Sequence, residues 1–139
     1  MTRNLLAIVA GILSSFLMVL LVEIIGHAFH PIPVTAHDPE ALKSYIQNEA
    51  PTGFYIFILL SYAVGVFTGG FVTAWICTHK KIIHAMTMAG TVMGIGIYNL
   101  TTIQYPTWVI LCSIFVFLPL AYFGSAVAKN VFAKKELSH

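Results

Sequence analysis

The feature that most constrains this chain is the length of its stretches without charged side chains. No Asp, Glu, Lys or Arg occurs in residues 4–22, 52–78 or 82–128, and the last of these stretches is 47 residues long. A bilayer core takes roughly 20 helical residues to cross, so the first two stretches hold one span each and the third holds two. A polar turn at residues 104–107, which contains a proline, divides the third stretch. The sequence therefore predicts four transmembrane helices, at about residues 4–29, 53–77, 82–103 and 107–128.

The composition excludes a water-soluble domain. Only 9% of the residues are charged, whereas a soluble globular domain carries about 25%. The apolar residues do not alternate with polar ones as they do in barrel strands, so the spans are expected to be helices. No dense basic surface interleaved with aromatic residues is present, which excludes nucleic acid as a partner. We expect a single-domain, all-α membrane protein whose partners are membrane lipids.

The basic residues predict the orientation of the spans. Lys43 is alone on one side of the four-span arrangement. The other basic residues all fall on the opposite side: Arg3, Lys80, Lys81, Lys129, Lys134 and Lys135. Cytoplasmic loops are enriched in Lys and Arg, so both termini are predicted to be cytoplasmic. The predicted location is a bacterial inner (cytoplasmic) membrane.

The first outer loop contains a predicted helix. Asp38, Pro39 and Glu40 have the order typical of a helix start, with an N-cap, a proline at the first helical position and an acidic first turn. Apolar residues at helical spacing follow as far as Ala50. This short amphipathic helix, at about residues 39–50, is expected either to lie on the outer headgroups or to cover the outer mouth of the bundle.

Pairs of small residues four positions apart indicate close helix packing. Such pairs occur at Gly11 and Ser15, at Gly65 and Gly69, and at Gly90 and Gly94. In lipid, small residues let helix backbones approach closely, and this packing drives association. We expect these residues to hold the bundle together. A homo-oligomer interface is the alternative.

The residues expected to carry chemistry lie at the end of the first span. Glu23 is the only acidic residue within any predicted span, and a carboxylate near hydrocarbon costs a few kcal/mol unless it is satisfied. His27 and His30 follow at i+4 and i+7, within an arc of roughly 60° on one helix face. One carboxylate and two imidazoles suit a divalent metal such as zinc, so Glu23, His27 and His30 are a candidate metal site.

Two other interpretations of this cluster remain open. A hydrogen bond between Glu23 and His27 would satisfy both groups without a metal. Alternatively, the cluster relays protons or binds a substrate, with Asn99 and Gln104 at the end of the third span as further ligands. His37 in the outer loop is also within reach of this region. Glu23, His27, Asn99 and Gln104 are therefore the candidate ligand-binding residues.

Three groups of short motifs resemble those of a family of small four-span bacterial inner-membrane proteins. They are Glu23-x2-Gly26-His27 with Pro31-x-Pro33, Asp38-Pro39-Glu40-Ala41-Leu42, and Pro106-Thr107-Trp108. That family is uncharacterised. The resemblance implies the same topology and draws attention to Glu23 and His27, but it implies no activity.

Three functions are consistent with these features. The first is binding or conduction of a small cation, a proton or a polar ligand in a Glu/His pocket at the outer leaflet. The second is a membrane-embedded enzyme acting on a lipid or quinone, with Glu23 and His27 as acid and base. The third is a structural or accessory subunit of a membrane complex.

Overall fold

The computed structural model describes residues 2–33 and 38–136, with side chains described as far as Val131. His37 therefore lies outside the described residues. The described part of the chain forms five helices and no strand. They are α1 (Thr2–Phe29), α2 (Pro39–Asn48), α3 (Thr52–Ile76), α4 (Lys81–Thr102) and α5 (Thr107–Glu136). The prediction of an all-helical chain is confirmed.

Three of these helices, α1, α3 and α5, are long and apolar enough to cross a membrane. Helix α4 has 22 residues but is less hydrophobic than these three helices, because its sequence includes several threonines and other polar residues. Many large apolar side chains on α1 are exposed, among them Leu5, Leu13 and Leu17. Exposed leucines of this number on a helix are the pattern expected of a surface that faces lipid.

Helix α3 is the centre of the bundle. It packs against α1 on one side and α5 on another, and α4 contacts all three of these helices. The buried side chains of α3 include Ile58, Tyr62 and Val66, which join one apolar core with Val92 of α4 and Phe117 of α5.

Glycines allow the helices around α3 to pack with their backbones almost in contact. A Cβ atom added at Gly70 would lie 2.5 Å from the carbonyl oxygen of Ala121 in α5, and one added at Gly124 would overlap the carbonyl oxygen of Phe67 in α3. A Cβ at Gly69 would lie 2.7 Å from the carbonyl oxygen of Gly11 in α1. Gly90 and Gly94 are different, because nothing lies within 4 Å of a Cβ added at either position. Gly90 and Gly94 therefore do not contribute to packing within the described bundle.

Hydrogen bonds tie the start of α1 to the end of α3. The Nε of Arg3 donates to the carbonyl oxygen of Ile76 at 3.1 Å. The side-chain oxygen of Asn4 accepts from the hydroxyl of Thr78 at 3.2 Å and from the thiol of Cys77 at 3.3 Å. These contacts place the N-terminus beside the α3–α4 turn, where Lys80 adopts a left-handed backbone conformation with φ of 50°.

Helix α2 begins as its sequence predicts. The Asp38 carboxylate accepts a hydrogen bond from the backbone N–H of Ala41 at 2.8 Å, and Pro39 occupies the first turn. Tyr45 and Ile46 of α2 are buried against the rest of the protein, whereas Ser44, Gln47 and Asn48 are exposed. Helix α2 thus packs on the bundle through one face.

Candidate functional site

A cavity of about 180 Å³ lies where α1 ends and α3 begins. Its volume greatly exceeds the roughly 10–15 Å³ that one ordered water requires, so it has room for several waters or for a small molecule. Four helices and the connections beside them line it, through Glu23, His27, Ile32, Leu42, Ile46, Phe54, Ile58, Tyr62, Asn99, Ile103 and Tyr105.

The helical repeat explains why these residues meet. Each helix contributes side chains spaced four residues apart, which lie on one helix face. The pairs are Glu23 and His27 on α1, Leu42 and Ile46 on α2, and Asn99 with Ile103 at the end of α4; α3 contributes Phe54, Ile58 and Tyr62. The cavity is therefore the meeting point of one face from each of four helices.

Glu23 lies on the face of α1 that packs against the bundle. Val19, four residues before it, and Gly26, three residues after it, are both buried. The Glu23 carboxyl group is partly buried, and it interacts with the imidazole of His27 and the hydroxyl of Ser61. Ser61 is fully buried, and its hydroxyl also donates to the carbonyl oxygen of Ile58 at 2.8 Å. The candidate acid is thus held at the boundary between α1 and α3.

The structure brings Glu23 and His27 together at the cavity, and both also line a smaller adjoining pocket of about 10 Å³. The ring centroid of His27 lies 6.4 Å from that of Phe54, with the two planes 23° apart. His27 therefore lies beside Phe54 in the cavity wall, with the two rings stacked.

The structure does not bring His30 to the same place. His30 lies one residue beyond the end of α1, and its ring packs edge-on against Phe57 at 5.7 Å between centroids. It also fills the space beside Gly53, where an added Cβ would be 2.6 Å from Nε2 of His30. Across the described residues, no group of three His, Cys, Asp or Glu side chains could hold a metal ion. The predicted metal site of Glu23, His27 and His30 is therefore not supported.

The two predicted ligands near α4 have different positions. Asn99 lines the cavity. Gln104 is not among the lining residues, and its side-chain oxygen accepts a hydrogen bond from Nε2 of Gln47 in α2 at 2.8 Å. Gln104 has a left-handed backbone conformation with φ of 65°, which turns its exposed side chain towards α2. Gln104 therefore contacts α2 and does not line the cavity.

Helix α2 forms part of the cavity wall. Leu42 and Ile46 form part of its lining, and only 1% of the Ile46 surface is exposed. The hydroxyl of Tyr55 donates to the carbonyl oxygen of Ile46, and the Gln47–Gln104 bond described above adds a second attachment. Helix α2 is thus attached beside the cavity by one hydrogen bond with α3 and one with the α4–α5 turn.

Aromatic side chains form a large part of the wall, and the sequence analysis did not identify them as site residues. Phe54, Tyr62 and Tyr105 line the cavity. The rings of Phe54 and Tyr105 are nearly parallel, with 6.4 Å between their centroids and 4° between their planes. The four-residue spacing of Phe54, Ile58 and Tyr62 in a predicted helix is the signal that could have identified this wall.

Burial and neighbouring acidic groups perturb the phenol of Tyr105 in the cavity wall. Tyr105 lies between α4 and α5, and burial raises the pKa of its phenol above the usual range. The neighbouring phenol of Tyr62 and the carboxylate of Glu23 raise that pKa further. Lysine and arginine are both absent from the described lining, so the imidazole of His27 is its only basic group.

No family model, curated protein or solved structure matches the chain. The class of protein that the fold defines is an all-helical, membrane-embedded protein, because three of its helices have the length and apolar character to cross a bilayer.

Proposed function

We propose that this chain is a four-span protein of the bacterial inner membrane that binds a small polar or cationic ligand in the cavity beside α2. The observation that carries the proposal is the position of Glu23. It is the only acidic residue of α1, α3 and α4, and its carboxyl group lies on a cavity large enough for a ligand. A carboxylate in a membrane helix costs a few kcal/mol, which is a reason to regard it as functional.

The course of the chain supports a fourth span at α4. Four residues separate the end of α3 from the start of α4, and α4 finishes beside the cavity, where α3 starts. It therefore runs back along the full length of α3. Its 22 residues give a length of about 33 Å, which is sufficient for a hydrocarbon core of about 30 Å. If α3 crosses the membrane, α4 crosses it as well.

The basic residues support cytoplasmic termini. Arg3 and Lys80 lie at the end of the bundle opposite the cavity, whereas Lys43 is on α2 at the cavity end. Under the positive-inside rule, the cavity then faces the outer side of the membrane. A ligand would enter from the periplasm or from the outer leaflet.

The role of Glu23 can be tested with a panel of small molecules of different charge. We expect choline or 1,2-propanediol, but not the anion propionate, to raise the unfolding temperature of the purified wild-type protein by several degrees, because a ligand that binds only the folded state stabilises it. Glu23→Gln removes the charge with little change in shape, and it should abolish the shift.

Glu49→Gln is the matched control, since it removes an exposed carboxylate at the end of α2 that does not line the cavity. This variant should respond to the probe as the wild type does. The proposal is wrong if no probe produces a shift that depends on Glu23.

A further inference from the structure

Among the residues the structure describes, the Glu23 carboxyl group interacts with the imidazole of His27 and forms no ion pair with a lysine or arginine. The ion pair found in that part of the chain joins Lys43 to Glu40 at 3.4 Å on the exposed side of α2. The cavity is lined there by one carboxylate and one imidazole, with no lysine or arginine. A carboxylate in apolar surroundings favours a cation as its partner.

Apart from Glu23, His27 and Asn99, the cavity wall is aromatic and aliphatic. Phe54, Tyr62 and Tyr105 contribute three rings to the lining, and the remaining large side chains are isoleucines and Leu42. The face of an aromatic ring carries partial negative charge and attracts cations, most strongly where water is excluded. The lining therefore combines one carboxyl group with aromatic rings that can accept a weakly hydrated cation.

The same lining is poorly suited to other ligand classes. A metal ion requires several charged or imidazole ligands, and no group of three occurs among the described residues. An anion would be repelled by Glu23 and by the aromatic faces. A hydrated inorganic cation would leave the apolar walls without a contact, whereas an alkylated ammonium group presents methyl or methylene groups to them.

We propose that the ligand of the cavity is an organic ammonium group, with its positive charge beside Glu23 and its alkyl groups against Phe54, Tyr62 and Tyr105. This inference rests on the proposed function, because it names the class of ligand for the same site. The ammonium group comes either from a free small molecule such as choline or from the headgroup of a membrane lipid.

The test compares choline with its uncharged isostere 3,3-dimethylbutan-1-ol and with the anion 3,3-dimethylbutanoate. The full-length protein is placed in nanodiscs of phosphatidylglycerol, which contains no ammonium group, and binding is measured by calorimetry. We expect choline to bind at least about 10-fold more tightly than the isostere. That preference corresponds to about 1.4 kcal/mol. It should fall to within about 2-fold in Glu23→Gln and stay unchanged in Glu49→Gln.

Variants of Tyr105 test the aromatic contribution separately from the charge. Tyr105→Leu keeps an apolar side chain but removes the ring, so choline affinity should fall by about 2- to 30-fold, the range of a cation–π interaction, while the affinity for the isostere changes little. Tyr105→Phe keeps the ring and should retain choline binding. Equal losses for choline and the isostere in a folded Tyr105→Leu protein would contradict the aromatic part of the proposal.

The source of the ammonium group is resolved by changing the lipid. If a headgroup is the natural occupant, nanodiscs containing phosphatidylcholine will weaken the binding of free choline to wild-type protein. If a free molecule is the occupant, that lipid will have no effect. Either result supports the ammonium site.

Two outcomes would refute an ammonium ligand, and the second of them would also refute the proposed function. Preferential, Glu23-dependent binding of the isostere or of the carboxylate would leave a ligand site in place but refute an ammonium ligand. Absence of binding by all three probes in every lipid, with the wild-type protein folded, would refute both.

Discussion

Replacing Gly124 with alanine is expected to destabilise the bundle by about 1–2 kcal/mol. The added methyl group would overlap the carbonyl oxygen of Phe67 in α3, so α3 and α5 could accommodate it only by moving apart. Overpacking that shifts side chains and backbone typically costs about 1–3 kcal/mol and occasionally more. The better helix propensity of alanine returns about 1 kcal/mol of that cost.

Gly94→Ala is the matched control on α4. Nothing lies within 4 Å of a Cβ added there, so the gain in helix propensity should leave the stability unchanged or raise it slightly. Unfolding in mixed micelles of increasing sodium dodecyl sulfate measures both variants. Equal stabilities for the two variants would contradict the packing of α3 against α5.

The Gly94 variant also tests the prediction of a homo-oligomer. If the open surface at Gly90 and Gly94 joins two copies, Gly94→Ala will dissociate them, because a methyl group separates helices that meet through glycine. Analytical ultracentrifugation in detergent would then show a lower particle mass for Gly94→Ala than for the wild-type protein. Gly124→Ala should not lower the mass in this way.

Replacing Phe117 with alanine is expected to cost about 3–5 kcal/mol, the usual range for a buried phenylalanine. The ring of Phe117 is fully buried, and its centroid lies 5.3 Å from that of Tyr62. The substitution therefore opens a void behind one wall of the cavity. Besides the loss of stability, ligand affinity should decrease as Tyr62 loses its support.

Phe115→Ala on the same helix is the matched control for Phe117. Phe115 is 78% exposed, so its removal should change the free energy of unfolding by about 0.5 kcal/mol or less. The same unfolding titration distinguishes the two variants. A cost at position 115 as large as at position 117 would mean that another surface covers Phe115.

Much of the helical organisation follows directly from the sequence. The uncharged stretches predict helices at residues 53–77 and 82–103, and the structure has them at Thr52–Ile76 and Lys81–Thr102. The start of α2 follows from local chemistry, since the Asp38 cap requires only neighbouring residues. Length and charge are local properties of a sequence, and for this reason they predict helix positions well.

The arrangement of the site was harder to predict, because periodicity identifies a helix face but not the helix that it meets. Glu23 and His27 do share a cavity, as their four-residue spacing suggested. His30 follows the end of α1, where side-chain contacts with α3 decide its position. Gln104 lies in a turn whose left-handed backbone directs it to Gln47. Neither contact is visible in the local sequence.

We propose that α4 crosses the membrane and ends at a water-accessible cavity on the outer side. The most direct test is labelling of Asn99→Cys by a membrane-impermeant methanethiosulfonate reagent, in a background of Cys77→Ser and Cys112→Ser. We predict labelling of Asn99→Cys from the outer face only, and labelling of His79→Cys, in the α3–α4 turn, from the cytoplasmic face only. Labelling of both positions from one face, or an Asn99→Cys thiol that reacts only after denaturation, would contradict the account.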